Sequence, residues 1–168
     1  ILAGAFTYLF ARQLLGSRIA ALVGAITFTF GGYLTSYPPL QLAILETATW
    51  LPLILLLIHL ALYRGGVYYL AAGAALGVAA LAGHPQTLLF VLYVSAIYFF
   101  WESRHHSHTL LHYISRFIVI LFIAGGISAA QWMPTLEYQA VSTRAAISWA
   151  EAASGFPTLD PLQMILPG

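Results

Sequence analysis

Apolar residues run along this chain in long blocks, interrupted by short clusters of polar residues, glycine and proline. The blocks cover residues 1–15, 19–33, 42–63, 67–82, 87–101 and 109–130. Sustained apolar runs without two-residue alternation predict helices that avoid water around most of their circumference. A membrane span takes ~20 such residues and sometimes about 17, so the shorter blocks sit at the lower limit. Gly16-Ser17-Arg18, a loop over 34–41 with Pro38-Pro39, Arg64-Gly65-Gly66 and a polar loop over 102–108 separate the blocks. The helix over 19–33 is rich in alanine and glycine. Small residues let helices approach closely in lipid, which predicts that this helix packs tightly inside the bundle.

The sharpest interruption is Ala82-Gly83-His84-Pro85-Gln86-Thr87. Glycine loosens a helix, and proline removes a backbone donor and clashes with the preceding turn. In lipid every freed backbone group needs an internal partner, so a polar break belongs at the surface or along a cavity. Residues 67–101 are therefore read as a hairpin of two helices. A single helix of that length, at ~1.5 Å per residue, would far exceed the bilayer. His84 and Gln86 are candidate substrate-binding groups, His84 as a phosphate-binding cation or a general base. The simpler alternative is that both only cap helix ends.

Past residue 130, Gln131, Pro134 and Glu137 recur every three positions. If the helix continues, they share a face, with Pro134 kinking it. Glu137 is then an interfacial carboxylate, with Arg144 as a possible ion-pair partner. Such a pair contributes little in water. Residues 138–155 are more polar and read as amphipathic interfacial helices. Residues 154–168 hold Pro157, Pro161 and Pro167 and read as mostly extended or turning.

Composition makes the membrane reading firm. The chain is 61% hydrophobic and only 7% charged, against roughly 25% charged residues in soluble domains. Cysteine is absent, which excludes disulfides and thiolate chemistry. Lysine and asparagine are absent too, so arginine is the only fixed cation and N-linked glycosylation is ruled out. A formal net charge of +1 argues against nucleic acid as a partner. The chain begins inside one apolar helix and ends in mid-element, and is read as an internal fragment with about six spans and an outer-face segment over 131–168.

Arginine sets the orientation. Arg12, Arg18, Arg64, Arg104 and Arg116 fall in or beside the loops after alternate spans, which the positive-inside rule places in the cytoplasm. The loop over 34–41, the His84 turn and everything from Gln131 onward then face outside. Glu46, His84, Gln86, Gln131, Glu137, Arg144, Glu151 and Asp160 collect there, and Glu102 is the one acidic residue inside. A featureless anchor would not need this asymmetry. Glu46 lies one turn before Trp50. A carboxylate at mid-span costs roughly 2.5–3.5 kcal/mol, so Glu46 is expected to face the bundle or a wet cavity, or else to reach the headgroups. Arg144 can grip a phosphate through its planar fork; an interfacial anchor is the plainer role. His105, His106, His108 and His112 lack an acidic or cysteine partner that would complete a ligand set, and no metal is assigned to them. No phosphate-binding glycine loop, dinucleotide fingerprint, nucleophile elbow or zinc-protease motif is present.

Over nearly its whole length the chain resembles the YfhO-like family of bacterial polytopic membrane proteins. The resemblance runs through Leu15-Gly16-Ser17-Arg18 with Gly24, Phe30-Gly31-Gly32-Tyr33, Trp50-Leu51-Pro52 and Ser142-Thr143-Arg144, and ends at Pro157 and Leu166-Pro167. Its specific parts are Ala82-Gly83-His84-Pro85-Gln86 and Ala130-Gln131-Trp132-Met133-Pro134-Thr135-Leu136-Glu137. The resemblance implies an all-α, GT-C-like glycosyltransferase in the bacterial plasma membrane. Such an enzyme moves a sugar from a polyprenyl-phosphate carrier to a cell-envelope acceptor such as teichoic acid. No cofactor is expected, and the partners are membrane lipids, the lipid-linked sugar donor and the acceptor polymer. GT-C enzymes carry an essential aspartate in the first outer loop, expected upstream of Ile1. Glu137 is the second choice of base. Arg144 and protonated His84 would stabilise the leaving phosphate, and Glu46, Gln86 and Gln131 would contact the substrate. A transporter or flippase of a lipid-linked substrate uses similar helix breaks, and a non-catalytic membrane scaffold is the third reading.

Overall fold

The computed structural model describes residues 1–36 and 41–142. Among them the secondary structure is entirely helical: α1 Leu2–Leu15, α2 Arg18–Phe30, α3 Gly32–Thr35, α4 Leu42–Thr49, α5 Leu51–Arg64, α6 Val67–Leu81, α7 Pro85–Ser103 and α8 Leu110–Val141. Four stretches, Arg18–Thr35, Leu42–Arg64, Pro85–Ser103 and Leu110–Gln139, are long and apolar enough to cross a membrane, and α6 is apolar but shorter. This fits a membrane protein. The expected loop over 34–41 begins instead with the single helical turn of α3. Its Pro38-Pro39 segment, and the interfacial and proline-rich stretches expected beyond Ser142, lie outside the described residues. The chain divides into two units, 1–131 and 132–168.

Helix ends follow local chemistry. Gly16 closes α1 in the left-handed region at φ 65°, its N–H on the Arg12 carbonyl at 3.2 Å. The Ser17 hydroxyl then opens α2 by accepting the Ala20 N–H at 3.3 Å. The span expected over 42–63 is broken at Trp50, between α4 and α5. Pro52, at the start of α5, lacks an N–H for the preceding turn, and the Trp50 N–H is drawn back to the Thr47 carbonyl at 3.4 Å.

The first unit has a large apolar core built by α5, α6, α7 and α8. Ile54, Ile58, Phe99 and Ile120 are fully buried in it. The Phe99 ring meets Phe100 and Phe117, each at a 5.2 Å centroid distance. Two glycines bring α6 against α8. A Cβ on Gly73 would lie 2.7 Å from the Ile120 carbonyl oxygen, and one on Gly77 would lie 2.8 Å from the Ile127 Cβ. This spacing of four is the small-residue device for close helix approach in lipid.

The tight packing expected of the helix over 19–33 is therefore found on α6 instead. In α2 only Ala21 and Ala25 are buried, and Ile19, Leu22, Val23, Ile26 and Phe30 are exposed. A Cβ on its Gly24 would meet Ala11 at an ordinary 3.8 Å. Small residues permit close approach, but a partner must lie along the same face, and among the described residues α2 packs chiefly on α1.

The hairpin expected around His84 is present, with the helix ending at Leu81 and restarting at Pro85. His59 of α5 pairs with Tyr98 of α7, and Tyr63 pairs with Glu102, both at an offset of 39 residues. A constant offset means that α5 and α7 run parallel, as they must if α6 returns between them.

Candidate functional site

The His84 turn is fixed by three adjoining residues. Gly83 takes φ +76°, a region that L side chains avoid. His84 is the N-cap of α7, its Nδ1 accepting the Thr87 N–H at 3.2 Å. The Thr87 hydroxyl lies 2.8 Å from the same nitrogen, within hydrogen-bond distance. Pro85 occupies the first helical position, where its missing N–H costs nothing. Thr87 is buried, and Gln86 on the outer side of the turn is exposed.

The capping bonds occupy Nδ1 and leave Nε2 as the ring nitrogen open to a ligand.

Gln131 comes to this turn from α8. A Cβ on Gly83 would sit 3.2 Å from Gln131 Nε2, so the absence of a side chain at position 83 makes room for the amide. One turn further along each helix, Ala80, Leu88 and Ser128 border an apolar groove of ≈ 150 Å³ between α6, α7 and α8. The turn therefore joins polar groups from two distant stretches to the mouth of a hydrocarbon-lined slot.

Glu46 belongs to a different place. It is exposed on α4 and borders a cleft of ≈ 420 Å³ with Leu2, Leu34, Leu45, Thr49 and Trp50. The Trp50 ring packs on Phe6 at 5.6 Å, and the Thr49 hydroxyl donates to the Leu45 carbonyl at 2.8 Å. The walls come from α1, α2, α3 and α4, none of which carries the His84 turn. Glu137 is an exposed residue of α8 in the second unit, and the helix runs unbroken past Pro134. Arg144 lies outside the described residues.

Sequence reasoning missed a polar cluster between the C-terminal ends of α5 and α7. His59, buried on α5, has its Nδ1 3.1 Å from the Tyr98 hydroxyl and 3.6 Å from Glu102 Oε1. The Tyr63 hydroxyl donates to the same carboxylate oxygen at 2.9 Å. The His59 and Tyr63 rings lie 4.5 Å apart, and His106 meets Tyr63 edge-on at 4.7 Å. A signal was available: His59 and Tyr63 are four residues apart on one span, and Tyr98 and Glu102 are four apart on another. Each pair forms one helix face. His108 and His112 stack at 4.6 Å, and no group of three or more His, Cys, Asp or Glu side chains among the described residues is arranged to hold a metal.

The joined turn, the separate cleft at Glu46 and the polar tie between α5 and α7 are three distinct polar features of a helical chain with four stretches long and apolar enough to cross a membrane. No family model, curated protein or solved structure matches this chain.

Proposed function

We propose that this chain is the membrane-embedded part, with about six spans, of a YfhO-like, GT-C-type glycosyltransferase of the bacterial plasma membrane. It uses a polyprenyl-phosphate sugar as donor and an envelope polymer such as teichoic acid as acceptor. One observation carries the reading. The two stretches most specific to the resemblance, around His84 and around Gln131, meet at Gly83, where the Gln131 amide fills the space that a side chain would take. The contact continues the α6–α8 register set at Gly73 and Gly77, and so brings the polar residues of both stretches to one end of that helix pair.

In this reading the prenyl chain lies along apolar helix surfaces and its phosphate sits at the outer end. His84 Nε2–H and the amides of Gln86 and Gln131 donate to the phosphate oxygens. Donors fixed where charge develops contribute most to such a step. The acceptor hydroxyl attacks the anomeric carbon, the bond from that carbon to the phosphate oxygen breaks, and the phosphate leaves with the electron pair. The acceptor's proton passes to a carboxylate, for which an outer-loop aspartate is the first choice and Glu137 the second. Arg144 adds a fixed cation for the leaving phosphate.

The test is transfer from a polyprenyl-phosphate sugar by the full-length protein in proteoliposomes. Gln131→Ala should lower transfer by about tenfold or more, the range of one lost oriented donor, with an unchanged unfolding midpoint. His84→Asn, which keeps a capping side chain, should do the same. Full transfer by both variants would overturn the assignment.

A further inference from the structure

We propose that Gly125 is a specificity-determining residue. Its missing side chain keeps open the groove between α6, α7 and α8, and that groove takes the first carbon unit of the donor's prenyl chain. The inference deepens the glycosyltransferase reading and rests on it for the identity of the donor.

A glycine inside a helix costs stability against alanine, so its presence needs a reason. Gly73 and Gly77 have one, because a Cβ on either would strike α8. Gly83 has another in its positive φ. Gly125 has neither. It lies inside α8 without a positive φ, and a Cβ built on it would meet nothing within 4 Å. What it does border is the groove. The open space before Gly125 is thus part of the groove, and a larger residue would occupy it. Gly126 also has open space before it, but it is exposed and stands outside the groove wall, which makes it a matched control.

The walls select the occupant. Leu76, Leu88, Leu92 and Leu121 line the groove. Ser128, the polar side chain of the lining, donates its hydroxyl to the Gly125 carbonyl at 3.3 Å. Its hydrogen is therefore spent on the backbone. A sugar or a charged group would find too few partners there, so the groove suits hydrocarbon. From Leu121 to Ser128 the wall rises roughly 10 Å, at ~1.5 Å per residue. At ≈ 150 Å³ the groove is smaller than the ~300–1,000 Å³ of a whole small-molecule site. An apolar space of ~150 Å³ takes a group of about six carbons, which is a segment of a chain.

Continuity with the turn supplies the polar end. Leu88 lies one turn past His84, and Ser128 lies one turn before Gln131. Gln131 in turn reaches Gly83. A carbon chain seated in the groove therefore brings its head to hydrogen-bonding side chains at one end of the slot. This layout fits an amphiphile whose head accepts hydrogen bonds, and in the donor that head is the phosphate.

The experiment uses full-length protein in dodecyl maltoside, with farnesyl phosphate as probe and native mass spectrometry to count the bound lipid. Gly125→Leu should retain about tenfold less farnesyl phosphate than the wild type, since each displaced CH₂ contributes roughly fourfold. Gly125→Ala, whose Cβ meets nothing, keeps the test open if leucine disturbs the fold, and should retain about threefold less. Gly126→Leu should retain as much as the wild type. A wild type that holds no farnesyl phosphate would overturn the proposal. So would undiminished retention in both Gly125 variants, or an equal loss in Gly126→Leu. Displacement by inorganic phosphate at equal concentration would show that the head binds alone and would also overturn it. Sugar transfer is scored separately in proteoliposomes. The expected retention pattern without transfer would sink the transferase reading and leave the groove as a prenyl-phosphate site. Transfer unimpaired in Gly125→Leu would sink the groove and leave the transferase reading.

Discussion

The first unit contains two apolar cores of different character. The larger, shared by α5 to α8, is filled by Ile54, Ile58, Phe99 and Ile120 and closed by backbone contact across Gly73 and Gly77. The smaller holds only Ala3, Leu34 and Ala48, with Phe28 and Leu45 packed against it. The first core borders the groove of ≈ 150 Å³ between α6, α7 and α8, and the second borders the cleft of ≈ 420 Å³ at Glu46. The contrast teaches that a small-residue helix becomes a structural centre only when its bare face meets another backbone. Where it does not, as on α2, the large side chains beside the small residues stay exposed. Polar ties follow the same division, with His59, Tyr63, Tyr98 and Glu102 bracing α5 against α7.

If the contrast is right, substitutions on the two sides should differ in scale. Gly73→Leu forces a side chain into the Ile120 carbonyl and the Ile123 side chain and should cost about 3 kcal/mol, read as a large fall in the unfolding midpoint in detergent. Glu102→Ala strands the Tyr63 hydroxyl and His59 and should cost about 1–2 kcal/mol by the same assay. His84→Ala removes the α7 cap and should cost about 1 kcal/mol, most of it recovered in His84→Asn. Tyr98→Phe deletes one interhelical hydrogen bond, worth ~0.6 kcal/mol in membrane proteins. Gly24→Ala, where the nearest side chain is an ordinary 3.8 Å away, should stay within about 0.5 kcal/mol. A Gly24→Ala loss as large as that of Gly73→Leu would break the comparison.

The helices and the break at His84 were legible because proline, glycine and apolar run length act locally. The cap at His84 was legible as the simpler of two readings, but the second contact, from the Thr87 hydroxyl to the same nitrogen, needed the geometry. The packing of α2 was misjudged because alanine and glycine content does not say which neighbour lies against a face. The junction of Gly83 with Gln131 and the α5–α7 cluster depend on pairings 48 and 39 residues apart, which one sequence does not encode locally. Only the matched spacing of four within each helix of the α5–α7 cluster hinted at it.

The length of α8 has a mechanical consequence. Its 32 residues rise roughly 48 Å at ~1.5 Å each, against a hydrocarbon layer of ~30 Å. Fitting it by leaning alone would need an inclination of roughly 50°, beyond the ~0–40° found for spanning helices. An α8 that spans the membrane therefore has residues to spare beyond the hydrocarbon, so the polar side chains near its ends need not sit in lipid.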